Sequence, residues 1–76
     1  MRLRELREDN DLTQKALAEY LHIRQNTYSQ YETGMRQLPL DALIQLANYF
    51  HTSTDYLLGL TDEMKPYPRR ASRTTK

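Results

Sequence analysis

Apolar residues recur every three or four positions along most of the first sixty residues, with polar residues between them. This spacing places apolar side chains on one face of an α-helix, whereas a half-buried strand would show alternation with a period of two. The pattern therefore predicts an all-α fold built from short helices. It is clearest in residues 40–50, where the apolar positions are Leu40, Leu43, Leu46, Ala47 and Phe50.

Turn and cap residues divide this pattern into five segments. Thr13 and Ser53 are N-cap residue types that precede the second and fifth segments, and Pro39 fits the start of the fourth. Gly34 stands where a left-handed residue would end the third segment. The expected helices cover roughly residues 2–9, 14–21, 25–32, 40–50 and 54–58.

Composition limits the chain to one small domain. Its 76 residues are 38% hydrophobic and contain no cysteine, which excludes disulfides and thiolate metal sites. No segment reaches the ~20 apolar residues of a membrane span, and the charged N-terminus lacks the apolar run of a signal peptide. We therefore expect a cytoplasmic protein with no membrane contact, no cofactor and no small-molecule ligand.

The charge is unevenly distributed although the formal net charge is only +1. Residues 1–60 hold six Arg or Lys against eight Asp or Glu, a balance of −2, and residues 61–76 hold five against two, a balance of +3. The first part is the expected folded domain, and it is not a general polyanion binder. The second part contains prolines without apolar periodicity, so we expect a flexible basic C-terminal tail.

The third predicted helix carries amide and hydroxyl side chains opposite two tyrosines, Tyr28 and Tyr31, which we expect in the core. Asn and Gln hold a donor and an acceptor at fixed geometry, so each can pair with an adenine edge in the DNA major groove. Taken alone, such residues are more typical of an ordinary solvated helix face. The candidate base-reading residues are Gln25, Asn26, Ser29 and Gln30.

Residues 2–60 also carry a series of short motifs, namely Thr13-Gln14, Leu17-Ala18, Ile23, Tyr31-Glu32, Gly34, Pro39, Leu43, Leu46-Ala47 and Ser53-Thr54-Asp55-Tyr56-Leu57-Leu58-Gly59. Together they resemble the XRE family, the helix-turn-helix proteins related to phage Cro and the lambdoid repressors. The resemblance implies a five-helix, lambda-repressor-like domain with the helix-turn-helix at helices two and three. It further implies that helix three enters the DNA major groove.

The resemblance assigns roles to individual residues. Gln14 matches a family glutamine that touches a phosphate, and Gln25 matches the first base-reading glutamine; in lambdoid repressors these two also bond each other. Arg7 and Glu32 match a family pair that bridges helix one to the end of helix three. The remaining candidate phosphate contacts are Arg24, Thr27, Thr33 and Arg36.

Three positions depart from the family pattern. His22 stands where the turn usually has glycine, and histidine can adopt a positive φ at some cost. Arg24 replaces the usual Ser or Thr cap of helix three, so it cannot cap but can reach a phosphate. Tyr28 replaces an Ile or Val, enlarges the core contact and can show its hydroxyl to solvent or DNA.

The expected function is sequence-specific binding of double-stranded DNA by a bacterial or phage transcriptional regulator, as a homodimeric repressor on a two-fold operator. One small recognition helix buries too little surface for tight binding, and two copies ~34 Å apart solve that problem. Leu58 and Leu60 are candidate dimer contacts, as is Leu57 unless it is core. The alternative is a protein-binding module, such as an antirepressor or an antitoxin with a protein partner.

An enzyme or a metal protein is not expected. His51, Ser53 and Asp55 are the residue types of a catalytic triad, but they are too close in sequence for its geometry. The run Glu8-Asp9-Asn10-Asp11 lacks the glycine and terminal glutamate of a calcium loop. Neither histidine has further ligands at metal-binding spacing.

Overall fold

A computed structural model describes residues 1–66 of the chain, in which five helices and no strand occur. The prediction of an all-α, five-helix fold is confirmed, and each predicted boundary lies within one residue of the observed one. The helices are α1 (Leu3–Asp9), α2 (Gln14–Leu21), α3 (Gln25–Thr33), α4 (Leu40–Tyr49) and α5 (Thr54–Leu58).

The core receives side chains from every helix. Burial of a large apolar side chain contributes about 1.5–3 kcal/mol, and it stabilises helices that are individually too short to persist in water. Tyr28, Leu17 and Leu46 are completely inaccessible to solvent and lie in this cluster. The core cluster consists of Leu3, Leu6, Leu17, Ala18, Tyr28, Tyr31, Leu43, Leu46, Phe50 and Leu57.

Leu40 departs from the apolar pattern of α4. Its side chain is 71% exposed, whereas Leu43 and Leu46 in the same helix are buried. Leu40 is the first residue of α4 and follows Pro39, whose extended backbone (φ −64°, ψ 153°) brings the chain to the helix. The apolar stripe of α4 therefore starts one turn before the part of the helix that the core covers.

Side-chain caps determine where α2 and α5 begin. Thr13 Oγ1 accepts a hydrogen bond from the Ala16 backbone N–H at 3.0 Å. Ser53 Oγ accepts one from the Tyr56 backbone N–H at 3.0 Å. Each bond satisfies a donor that has no partner inside its helix. Both predicted caps are therefore confirmed.

Three residues other than glycine have a left-handed backbone at or just after the end of a helix. His22, at the end of α2, has φ 60° and ψ 43°, so the turn keeps the left-handed conformation that the family pattern usually gives to glycine. Asp11 (φ 55°) and His51 (φ 54°) were not anticipated from the sequence. A side chain in this conformation costs roughly 1–2 kcal/mol.

The chain keeps contact with the domain beyond residue 60, the boundary expected from the sequence. Arg2 Nη2 donates to the Thr61 carbonyl at 3.1 Å and to Asp62 Oδ1 at 2.8 Å. Thr52 Oγ1 donates to the Met64 carbonyl at 2.6 Å. The first residues of the expected tail are thus bonded to the domain, and its last ten residues lie outside the described range.

The strain at His22 leads to a testable prediction. His22→Gly should leave the free energy of unfolding unchanged or raise it by up to about 1 kcal/mol, because glycine adopts this backbone without strain. His22→Ala is the matched control: it removes the same imidazole but keeps Cβ, so it should be less stable than the glycine variant by about 1 kcal/mol. Urea unfolding measures both. A loss above about 1 kcal/mol in His22→Gly would reveal a stabilising imidazole contact instead.

Candidate nucleic-acid interface

Helix α3 has one face in the core and an opposite face that solvent can reach. Tyr28 and Tyr31 point inward and are 0% and 6% exposed. Asn26 and Gln30 are one helical turn apart and lie on the other side of the helix. The predicted base-reading residues are therefore all accessible. The accessible residues of α3 are Gln25, Asn26, Thr27, Ser29, Gln30 and Thr33.

A short turn joins α2 to α3 and sets how the two helices meet. The Ile23 backbone N–H donates to the Ala18 carbonyl at 3.0 Å, just after the left-handed His22. The side chain of Ile23 is half-buried against the core. Arg24 is the N-cap of α3. Its backbone is extended, and its exposed side chain makes no cap bond. Arg24 therefore lies immediately before α3, where the sequence predicts a phosphate contact.

A buried carboxylate on α3 connects three helices. Glu32 Oε2 accepts from Arg7 Nε of α1 at 2.7 Å, and Oε1 accepts from Arg7 Nη2 at 3.3 Å. The Tyr28 hydroxyl donates to Oε2 at 2.7 Å, and Gln14 Nε2 of α2 donates to Oε1 at 3.1 Å. The Glu32 side chain is only 2% exposed. The structure thus places Arg7 and Glu32 in the contact that the family resemblance implied.

These bonds keep Glu32 ionised despite its burial. Burial raises the pKa of Glu32, but the hydrogen bonds from Arg7, Tyr28 and Gln14 lower it more, and the net direction is downward. The bond to Glu32 is also the main cause of the raised pKa of the Arg7 guanidinium. Burial and then the bond to Glu32 raise the pKa of Tyr28, so its hydroxyl keeps the proton that it donates.

Arg7 also forms hydrogen bonds with the loop between α1 and α2. Its Nη1 donates to the Leu12 carbonyl at 2.9 Å, while the Leu12 backbone N–H donates to the Arg7 carbonyl at 3.0 Å. Leu12 packs against the core. The Arg7 guanidinium therefore bonds both ends of the helix-turn-helix. It contacts the loop that precedes α2 and Glu32 near the end of α3.

The structure changes the expected role of Tyr28. Its hydroxyl points to Glu32 rather than to solvent or DNA. Sequence reasoning missed this bond, although Tyr28 and Glu32 are four residues apart and so lie on the same face of α3. A tyrosine at a position where the family prefers Ile or Val thus adds a donor to the buried carboxylate.

Gln14 also differs from the family expectation. The bond between Gln14 and Gln25 does not form in the described part of the chain, where Gln14 Nε2 donates to Glu32 instead. The Gln14 amide has two N–H groups, and this bond uses one of them. The other can still donate to a phosphate, so the phosphate contact of Gln14 stays a prediction.

Arg36, expected at a phosphate, contacts a base-reading candidate. After α3 the chain reverses at Gly34 (φ 83°). Arg36 Nε then donates to Gln30 Oε1 at 2.9 Å, and the Arg36 backbone N–H donates to the Gln30 carbonyl at 3.2 Å. Thr33 Oγ1 donates to the same carbonyl at 3.3 Å. Thr33, at the end of α3, and Arg36, in the loop that follows, therefore both contact Gln30.

The candidate dimer contacts divide into one buried and two exposed residues. Leu57 is 0% exposed and belongs to the core, which removes it as a dimer contact. Leu58 and Leu60 are 42% and 73% exposed. Only the latter two are placed where they could touch a second copy.

In residues 1–66, no three His, Asp or Glu side chains come together in an arrangement that could hold a metal ion. No helix of this range has the length and apolar content needed to cross a membrane.

Comparisons with known proteins agree with this geometry. A family model described as helix-turn-helix matches residues 3–57. Three regulators of Bacillus subtilis (strain 168) are similar to the chain. The HTH-type transcriptional regulator ImmR is 44% identical over 64 residues, which cover 84% of this chain and 50% of ImmR. For the HTH-type transcriptional regulator AnsR the identity is 36% over 74 residues, 97% of this chain and 64% of AnsR.

The third relative, the uncharacterized HTH-type transcriptional regulator YobD, is 44% identical over 69 residues, 91% of this chain and 62% of YobD. The chain thus spans between 50% and 64% of the length of these curated relatives. No solved structure gives a significant match.

The substitution Glu32→Ala tests how much the buried carboxylate stabilises the fold. Glu32→Ala leaves the Arg7 guanidinium and the Tyr28 hydroxyl buried without their acceptor, so the free energy of unfolding should fall by about 3 kcal/mol or more. Glu5→Ala is the control, because Glu5 is exposed on the first turn of α1 and should cost at most about 1 kcal/mol. Thermal and urea unfolding measure both. Equal and small losses would contradict the structural role of Glu32.

Acid stability gives a second test of the same carboxylate. The pKa of Glu32 is lower in the folded chain than in the unfolded chain, where it lies at about 4.3. The unfolded chain therefore takes up the proton first, so stability from ionised Glu32 is complete above that value and is lost as the pH falls below it. Glu32→Gln should lose less stability than the wild type as the pH falls from about 5 to about 3. Parallel pH profiles of the two proteins would contradict this prediction.

Proposed function

The chain belongs to the helix-turn-helix family, and we propose that it binds double-stranded DNA as a regulator of transcription. This membership confirms the resemblance to the XRE family that the motifs indicated. The relatives that support the regulatory part of the proposal carry HTH-type transcriptional regulator in their names.

The accessible amide-rich face of α3 is the observation that carries the proposal. The major groove of DNA, ~12 Å wide, admits an α-helix and displays donors and acceptors on each base edge. Gln25 and Asn26 are exposed at the start of α3, where a recognition helix makes its first base contacts. The inward bonds of Tyr28 and Glu32 orient this face outward. The proposed base-reading set is Gln25, Asn26, Ser29 and Gln30.

Phosphate contacts around α3 would position the helix in the groove. Such contacts determine register and orientation without reading sequence. Arg24 and Thr27 lie in the first half of α3 or just before it, and Gln14 begins the neighbouring α2. These residues are proposed phosphate contacts, because guanidinium, hydroxyl and amide groups all donate to phosphate oxygens.

We further propose that two copies bind a two-fold operator and that the outcome is repression. A single domain of this size offers one short reading helix, whereas two copies about one DNA turn (~34 Å) apart double the contacts. Leu58 is the last residue of α5, and Leu60 lies two residues beyond it. Both side chains are exposed, which supports a contact between copies at the C-terminal end of α5. Binding over a promoter would exclude polymerase from it.

A gel-shift competition tests the proposed function. The protein is incubated with labelled fragments of the genome that encodes it, and unlabelled total DNA is added in excess. Retention of a few fragments supports sequence-specific DNA binding, and sedimentation of the retained complex gives the number of copies. If no duplex is retained even at low salt, DNA binding fails and the protein-binding alternative is favoured.

A substitution at Gln25 tests the base-reading assignment. Gln25→Ala should weaken operator binding and relax the preference at one base pair in each half-site, since a bidentate amide contact is worth about 1–3 kcal/mol. The melting temperature should hardly change, because the Gln25 side chain is exposed. Gln45→Ala, at an exposed position of α4, is the matched control and should bind like the wild type. Operator affinity within twofold of wild type for Gln25→Ala would reject the assignment.

A further inference from the structure

We infer that Gln30 and Arg36 act as one unit that selects guanine in the major groove. The inference rests on the proposed function and adds the base that this end of α3 reads. It also changes the role of Arg36 from a phosphate contact to a specificity-determining residue.

The unit is held by backbone as well as side-chain bonds. The backbone N–H of Arg36 donates to the Gln30 carbonyl at 3.2 Å, which positions the start of the Arg36 side chain beside α3. Thr33 Oγ1 donates to the same carbonyl at 3.3 Å. The side chains then meet through Arg36 Nε and Gln30 Oε1 at 2.9 Å. Gly34 permits this return of the chain because its φ is 83°.

The bond between the side chains changes what Gln30 offers to a base. An unbound glutamine amide presents one acceptor and one donor group together, which suits adenine N7 and N6. Here Arg36 engages the acceptor oxygen, and the amide presents its Nε2 hydrogens. An adenine or cytosine amino group would have to approach the oxygen beside a positive charge.

The guanidinium supplies further donors next to those of Gln30. The Nε of Arg36 is used in the bond to Gln30, which leaves the N–H groups of Nη1 and Nη2. The pair therefore presents mainly donors, because the second lone pair of Gln30 Oε1 lies beside the guanidinium charge. In the major groove, guanine presents two neighbouring acceptors, N7 and O6, and arginine paired with them is the commonest specific contact. Among the four bases, guanine fits this set best.

The unit also lies where a base can be reached. Gln30 is one helical turn beyond Asn26 on the accessible face of α3, and Arg36 is exposed in the loop that follows. Asn26 and Gln25 keep amides with both donor and acceptor. The inference therefore predicts different bases at the two ends of α3, adenine near its start and guanine near its end.

Selection from a randomised duplex library measures this preference directly. The wild type should prefer guanine over each other base by roughly 5- to 150-fold at one position per half-site. Gln30→Ala and Arg36→Lys should each abolish that preference while the other positions keep theirs. Lysine retains the charge but cannot make the planar two-pronged contact, so binding to nonspecific DNA and its salt dependence should stay unchanged.

Two controls and a double variant complete the design. Gln37→Ala changes an exposed amide in the same loop, and Arg4→Ala removes an exposed charge of α1; both should keep the guanine preference. The double variant Gln30→Ala with Arg36→Lys should lose no more discrimination than either single variant, because the two residues act as one unit.

Several outcomes would overturn the inference. One such outcome is that the wild type selects adenine at the position whose base preference disappears in Gln30→Ala. The Gln30 amide would then read the base without Arg36. Retained guanine preference in Arg36→Lys, with Arg36→Ala weakening all sequences equally and reducing the salt slope by about 0.9, would identify a phosphate contact. These results leave the proposed function intact. Failure of the wild type to select any sequence would instead overturn the proposed function and this inference together.

Discussion

The buried carboxylate of Glu32 is the interaction on which the rest of this small domain depends. It accepts hydrogen bonds from α1, α2 and its own helix, and almost none of its side chain reaches solvent. Burying an ion is costly, and the Arg7 charge and well-placed donors offset that cost. Because Glu32 and Tyr28 are both on the inward side of α3, their bonds determine how α3 is rotated about its axis. That rotation decides which side chains the helix presents outward, so the carboxylate connects packing to the candidate interface.

Local sequence signals were sufficient for the elements of the fold. Thr13 and Ser53 cap α2 and α5 as predicted, because a cap depends only on residues three positions away. The period of apolar residues likewise placed Tyr28 and Leu46 in the core. Leu40 fits the same period but is exposed, because periodicity shows which face a residue is on and not how far the neighbouring helices extend. The bonds of Arg2 to residues beyond α5 join the two ends of the domain, and no local pattern encodes them.

The candidate site was partly predictable for the same reason. The accessible face of α3 follows from helical spacing once Tyr28 and Tyr31 are assigned to the core. The partners of individual polar side chains do not follow from spacing. Gln14 bonds Glu32 rather than Gln25, and Arg36 bonds Gln30 across a loop, because each pairing depends on how separate segments are placed in three dimensions.

DNA recognition by α3 is tested most directly by the change in backbone and side-chain amide NMR signals when a selected operator duplex is added to the protein. We expect large changes at Gln25, Asn26 and Gln30 of α3, with little change at Tyr20 and Tyr49. These two tyrosines belong to α2 and α4 and pack together, with ring centroids 4.7 Å apart. Changes concentrated around the tyrosine pair, with α3 unaffected, would contradict DNA recognition by α3.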